Sequence, residues 1–148
     1  MAKQIRVRKL RQFDLDRIQR IEHQSFGKDA YDRNLFAGFY HQCGDLFLVA
    51  ERAATVCGYV VTCLRGDRAE IVSIAVAPSW RGKGAASALL DSTLRRLRRR
   101  NASRVVLMVK STNEPARAFY EKYQFRKVRT VRGYYEDGSD GISMVLPL

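Results

Sequence analysis

The spacing of apolar and polar positions changes several times along the chain. Ile5-Arg-Val7 alternates, as an opening strand does. Leu15, Ile18 and Ile21 then recur at helical spacing behind Asp14, a residue type suited to an N-cap. The stretch from Phe26 to Tyr40 is rich in aromatics and interrupted by Gly27 and Gly38, which predicts a loop with a short helix. Two strand-like runs follow, Leu46 to Ala50 and Val56 to Leu64. Polar Glu51 and Arg52 and small Ala53 and Ala54 separate them, so they predict an antiparallel pair. Ile71 to Ala77 reads as another strand, stopped by Pro78. Ala86, Leu90, Leu94 and Leu97 mark a helix that ends in the basic run Arg95 to Arg100. Arg104 to Val109 is again strand-like. Ala116, Phe119, Tyr120 and Tyr123 form the apolar face of a second helix, with Pro115 in its first turn. Beyond Phe125 the pattern suits two strands around Tyr134 to Gly138. Consecutive strands early and helical crossovers late predict an α/β fold with a mixed sheet and helices on both faces.

Length and composition narrow the class. The chain has 148 residues, one domain by the usual length prior. A chain of this size buries roughly 68–70% of its unfolded surface and needs no disulfide or metal to hold a core. With 46% hydrophobic and 28% charged residues, it is neither disordered nor fibrous. No apolar run approaches the roughly 20 residues of a membrane-crossing helix. The N-terminal MAKQIRVRKL lacks the apolar segment of a secretory signal, so the expected location is the cytoplasm, with no membrane partner. Cys43, Cys57 and Cys63 are odd in number and show no C-x-x-C spacing, which predicts ordinary thiols in a reducing compartment. His23 and His41 have no partner at metal-ligand spacing, and no metal is expected.

Charge changes the picture most. Lys plus Arg number 27 against 15 Asp plus Glu, a net charge of +12. Such a field attracts polyanions: nucleic acid, ribosomes or phosphorylated cofactors. The run Arg95 to Arg100 sits where a helix dipole already favours cations. A ribosomal or RNA surface is the other reading, although no RNA-recognition or zinc-finger pattern accompanies it.

The segment richest in chemistry runs from Ile74 to Ala86. A strand ends at Pro78, a turn carries Arg81, Gly82, Lys83 and Gly84, and a helix opens at once. Free N–H groups at the helix start, two glycines and two cations form a phosphate cradle, or else only a glycine-rich turn. It has neither the G-x-G-x-x-G pattern nor the G-K-[ST] of a nucleotide P-loop. Arg-x-x-Gly-x-Ala at Arg81 to Ala86, after an Ile-Ala-Val strand end, resembles the acyl-CoA pyrophosphate loop of the GNAT acetyltransferase superfamily. Asn113-x-x-Ala116-x-x-Phe119-Tyr120 resembles that superfamily's Asn-x-x-Ala-x-x-Leu-Tyr helix. Arg132 to Gly138 followed by Ile142 to Leu146 resembles the ending of the ribosomal-protein-alanine N-terminal acetyltransferase branch.

That resemblance implies a central, mostly antiparallel sheet of about seven strands. It implies acetyl-CoA as co-substrate and a protein or peptide amine as acceptor, free or ribosomal, for a monomer or homodimer. Ile74, Ala75 and Val76 would offer backbone groups to the pantetheine arm and thioester. Arg81, Gly82, Lys83, Gly84, Ala85, Ala86 and Ser87 would hold the pyrophosphate, and Asn113 would contact the cofactor. Tyr120 would protonate the departing thiolate. Spacing alone favours Tyr120 as a core aromatic of its helix; the motif reverses that reading.

The branch carries a glutamate base five residues before the asparagine, where this chain has Met108. Gln124 replaces the usual glycine before Phe125. Ala69-Glu70-Ile71-Val72 resembles the base-bearing strand of the histone-lysine branch, which makes Glu70 the candidate base. It shares strand parity with Val72, Ile74 and Val76; the bland reading is a solvent-facing strand-end glutamate beside Arg68. An α-amine of pKa about 7.8 is roughly one-third neutral at pH 7.5, whereas a lysine of pKa about 10.4 is neutral about one part in a thousand. A missing base therefore harms lysine transfer more. Phe26 and Tyr31, with Tyr134 and Tyr135, would frame the acceptor groove or simply cover the sheet. A small-molecule amine acetyltransferase and a non-catalytic acyl-CoA- or ribosome-binding module are the alternative functions.

Overall fold

A computed structural model describes residues 4–148. Seven strands form one sheet in the order β1-β2-β3-β4-β5-β7-β6. They are β1 (Arg6–Lys9), β2 (Phe47–Arg52), β3 (Thr55–Arg65), β4 (Arg68–Val76), β5 (Arg104–Lys110), β6 (Arg126–Val131) and β7 (Gly141–Pro147). Every neighbouring pair is antiparallel except β4 and β5. Helices α1 (Leu15–Phe26) and α2 (Arg33–Cys43) pack on one face. Helices α3 (Ala85–Arg99) and α4 (Glu114–Lys122) pack on the other.

The helical spacing read along the chain becomes two cores. On the α3 side Leu89, Leu90, Leu94 and Leu97 meet Val105, Leu107, Met144 and Tyr120. On the α1 side Leu15, Ile18, Ile21 and Phe36 meet Phe47, Val49 and Tyr59. Each large aliphatic side chain moved out of water there contributes roughly 1.5–3 kcal/mol. The β6 edge is exposed and carries Arg126, Lys127 and Arg129, charges that blunt an edge against pairing with another strand.

Asp14 precedes α1 but does not cap it. Its carboxylate accepts the Arg11 backbone N–H at 2.8 Å and both terminal nitrogens of Arg8 at 2.8 and 3.0 Å. Burial raises the Asp14 pKa, but the hydrogen bonds from Arg8 and Arg11 outweigh it and hold the carboxyl below its ordinary range.

The cysteine expectation fails at two of three positions. Cys43, the last residue of α2, and Cys63 in β3 form a disulfide with Cα atoms 5.1 Å apart. Spacing could not show it, because α2 folds back onto β3 only in the tertiary structure. Cys57 stays a buried free thiol and donates to the Ala50 carbonyl at 3.3 Å. After air oxidation, thiol titration of the denatured chain should therefore find one reactive thiol, rising to three on reduction. Three thiols before reduction would refute the pairing.

The β2–β3 hairpin closes over two residues, Arg52 facing Thr55. Both loop residues, Ala53 and Ala54, have positive φ (52° and 67°). An L-residue pays about 1–2 kcal/mol for that conformation, and Asn-Gly is the sequence such turns favour. The double substitution Ala53→Asn/Ala54→Gly should raise stability by about 1 kcal/mol in a denaturant titration.

Candidate active site

The parallel contact between β4 and β5 is short. Arg68, Ala69 and Glu70 pair with Arg104, Val105 and Val106, and there the ladder ends. Beyond Glu70, β4 keeps a ladder partner only on its β3 edge, so the backbone edge facing β5 is open. A cleft fills the divergence. Ile71 to Ile74 line one side and Leu107 to Lys110 the other. Asn113, Ala116 and Tyr120 of α4 border it, and Phe26, Tyr31, Tyr134 and Tyr135 stand over it.

A β-bulge accompanies the divergence. Thr62 of β3 faces Ile71 while Val61 faces Ser73, which leaves Val72 as the extra residue on β4. One inserted residue reverses which face the following side chains take. Ala69 and Ile71 pack in the α3 core, as do Ile74 and Val76, whereas Val72, Ala75 and Ala77 pack on the α1 side. Glu70 therefore shares no face with Ile74 and Val76, contrary to the parity expected from the sequence. It stands on the α1 side and lines the cleft, as Met108 does across from it.

The loop before α3 is a separate feature. Gly82 and Gly84 hold φ of +75° and +90°, which a residue with a Cβ adopts at a cost, and both have open space around them. Gly84 sits at the helix N-cap with no side-chain cap, and the first intrahelical bond runs from Ala88 N–H to the Gly84 carbonyl. The N–H groups of Ala85, Ala86 and Ser87 thus lack intrahelical acceptors, and the helix dipole adds partial positive charge. Arg81 is held nearby by the Val76 carbonyl at 3.2 Å and the Ser25 hydroxyl at 3.3 Å. The Lys83 ammonium lies 5.2 Å from the Trp80 ring centre. Helix N–H groups and two cations thus face the same open space.

Tyr120 is buried between Phe119 and Phe125, and its ring also borders the cleft. Burial pushes its phenol far above the ordinary range, with Tyr135 adding to the shift, so it stays protonated at any working pH. Asn113 uses its side-chain oxygen to cap α4 through the Ala116 N–H at 3.3 Å. Its amide NH2 is what remains for a ligand.

Two residues that the spacing did not single out organise the walls. Glu22 is 1% exposed, yet it borders the cleft. Its carboxylate accepts the Tyr59 hydroxyl, the Ser73 hydroxyl at 2.7 Å and the Tyr31 backbone N–H at 2.9 Å. It thus ties the loop after α1 to β3 and to the bulged part of β4. Its signal was present: Glu22 continues the apolar stripe of Leu15 and Ile18, an odd place for a carboxylate.

Lys110 ends β5 and bridges Asp29 at 2.8 Å and Asp137 at 3.0 Å, with its ammonium 5.2 Å from the Tyr135 ring centre. The hydrogen bonds to Asp29 and then Asp137 raise its pKa. Asp137 is held well below the usual carboxylate range, first by the Ser139 hydroxyl and N–H and then by Lys110. Burial and then the neighbouring Tyr134 push Tyr135 up to about 12, so its phenol faces the cleft uncharged. No local pattern marks Lys110, because its partners lie 81 and 27 residues away.

The cleft thus gathers Glu70, Ile74, Asn113, Tyr120, Phe26, Tyr31, Tyr134 and Tyr135. Ala75 is buried under α1 and α2, and Val76 spends its carbonyl on Arg81. Arg81 to Ser87 are not among the cleft's lining residues.

A profile of the acetyltransferase (GNAT) family matches residues 14–125. The N-alpha-acetyltransferase of Saccharolobus solfataricus is 32% identical over 155 residues, covering 96% of this chain and 92% of the relative. Ard1 from Thermoplasma volcanium superposes with a TM-score of 0.94 at 28% identity, over 97% of each chain. The ribosomal-protein-S18-alanine N-acetyltransferase from Escherichia coli gives 0.86 at 27% identity, over 97% of this chain and 94% of that one.

The Lys110 clamp has a direct readout. Lys110→Met keeps the length of the side chain and removes both solvent-screened ion pairs. Amide exchange at Ala30, Gly138 and Ser139 should quicken about 3- to 10-fold, with β2 and β3 unchanged. Exchange that stays the same in both loops would show that Lys110 holds neither.

Proposed function

The chain belongs to the GNAT acetyltransferase family, and from that premise we propose that it moves an acetyl group from acetyl-CoA to a protein amine, foremost an N-terminal α-amine. The observation that carries the reading is the β4–β5 divergence, a cleft with Tyr120 and Glu70 on its lining and a phosphate-type cradle beside it. In this reading residues 1–148 act as one acetyltransferase domain in the cytoplasm. No helix among the described residues is long and apolar enough to cross a membrane. A disulfide is compatible with an intracellular protein chiefly in hyperthermophiles.

Acetyl-CoA supplies an activated thioester. The open cradle fits its pyrophosphate: Gly82 and Gly84 leave room, the N–H groups of Ala85, Ala86 and Ser87 point outward, and Arg81 and Lys83 add charge. The open edge of β4 near Ile74 offers N–H groups to the negative charge that builds on a carbonyl oxygen under attack. Glu70 takes the proton released by the amine, directly or through one water. Tyr120 donates a hydrogen bond to the departing sulfur. That hydrogen bond steadies the thiolate as it leaves, and the thiol takes its proton from Tyr120 or from solvent. No covalent enzyme intermediate is needed. Tyr31, Phe26, Tyr134 and Tyr135 frame the acceptor, held in place by Glu22 and Lys110.

Names of relatives favour the α-amine, since both the Saccharolobus solfataricus and Escherichia coli proteins carry that chemistry in theirs. Glu70 on the cleft lining favours a second acceptor, the lysine ε-amine, which depends more on a base. Mass spectrometry of a mixed peptide pool incubated with acetyl-CoA separates them. We expect label on α-amines; label confined to lysines or to small amines would overturn the assignment. Tyr120→Phe should lower kcat about 10²-fold. Glu70→Gln should lower the rate most below pH 8, where the amine is mostly protonated. A pH–rate profile of unchanged shape would remove Glu70 from the mechanism.

A further inference from the structure

Three arginines face one another across three strands. Arg65 at the end of β3 pairs with Arg68 at the start of β4, and Arg68 pairs with Arg104 at the start of β5. Cross-strand partners share a face and lie about 5 Å apart, so the three arginines leave the sheet from backbone positions in a row about 10 Å long. All three are exposed. Like charges directly opposite destabilise a sheet. No carboxylate lies within ion-pair distance of any of them among the described residues. Asp67 sits in the intervening turn and bridges none of them; its carbonyl instead accepts the Ser103 N–H at 2.7 Å. That bond pins the α3–β5 connection beside the row, bringing Arg98 and Arg99 to the same end of the sheet but on its α3 face, while Arg100 stands 4.0 Å from Asp45. A helix dipole rationalises the α3 tail but not the strand row.

We propose that this end of the sheet is a docking surface for the phosphate backbone of RNA. Arginine matches phosphate with two parallel hydrogen bonds, and all three residues of the row are arginine. A protein-binding surface needs a desolvated apolar centre. The exposed large hydrophobics are Phe13, Leu35, Val128 and Tyr134, none of them in the row. A linear array of unpaired charges suits a polyanion with regular spacing better than one small anion. The choice of RNA rests on the reading that the acceptor is a protein amine that can belong to a ribosomal protein. The row lies at the end of β3 and the starts of β4 and β5, apart from the turn before α3 that follows the end of β4.

The test is fluorescence anisotropy of a 16-base-pair RNA duplex against the intact protein over a range of salt concentrations. We compare it with the triple variant Arg65→Gln/Arg68→Gln/Arg104→Gln. The slope of log Kobs against log salt should fall in magnitude by about 2 to 3 in the variant. Acetyl transfer to a free peptide should be unaffected, and the melting temperature should not drop, since repulsion is relieved. An unchanged slope overturns the proposal. So does displacement of the RNA by saturating CoA, which would assign binding to the cradle. Displacement by poly-glutamate at equal charge would assign the surface to an acidic protein, and tighter binding of duplex DNA would assign it to DNA. Either result also overturns the proposal. Failure of peptide acetylation with RNA binding intact would instead indict the function proposed above.

Discussion

Three residue pairs hold β4 and β5 together, and the chemistry depends on where that contact stops. A parallel ladder that ran to the strand ends would satisfy every backbone group and leave no room for a ligand. Here the extra residue Val72 sharpens the twist of β4 against β3, and past Glu70 the two strands part. The open edge of β4 then has hydrogen-bonding groups to spend on something other than a strand. Tyr120 and Asn113 reach the gap because α4 follows β5 directly. The glycine-rich turn before α3 lies beyond the end of β4, and the free N–H groups of that helix open there.

The walls of the gap are held by charges, each with a different degree of burial. Glu22 is almost fully enclosed, and three donors satisfy it, so it can stay in place without an opposing cation. Lys110 is nearer solvent and works as a tie between two loops that share no backbone hydrogen bond with each other. The first sets the backbone position of Tyr31; the second sets how far apart Asp29 and Asp137 stand. Together they give a loop-built wall some of the rigidity that a strand-built site has by default. At the other end of the same strands the charges are left unpaired. One sheet thus carries a neutralised end, where aromatics and amide groups can meet a substrate, and a positive end.

Much of this was legible along the chain. Strand and helix spacings, the proline stop at Pro78 and the glycines of Arg81 to Gly84 are local signals, each caused by backbone geometry acting over a few residues. The same is true of the Asn113 to Tyr120 helix face, which is why a resemblance resting on those segments led to the right family and to most of the cleft lining. Misreadings came where distant segments meet. Parity along β4 assumed an unbroken strand, and the bulge is imposed by pairing with β3. Asp14 looked like a cap for α1, but Arg8 and the Arg11 N–H claim it. Cys43 and Cys63 looked unrelated until α2 folded onto β3.

Most of the element order, the glycine-rich turn before α3 and the excess of positive charge follow from the chain alone, because propensity, hydrophobic period and charge are properties of short segments; the length of α2 does not. Only the tertiary structure decided which face Glu70 takes, that Glu22 and Lys110 brace the cleft, and that three arginines stand side by side. Those facts depend on register and packing between residues far apart in the chain, and no local rule encodes a register.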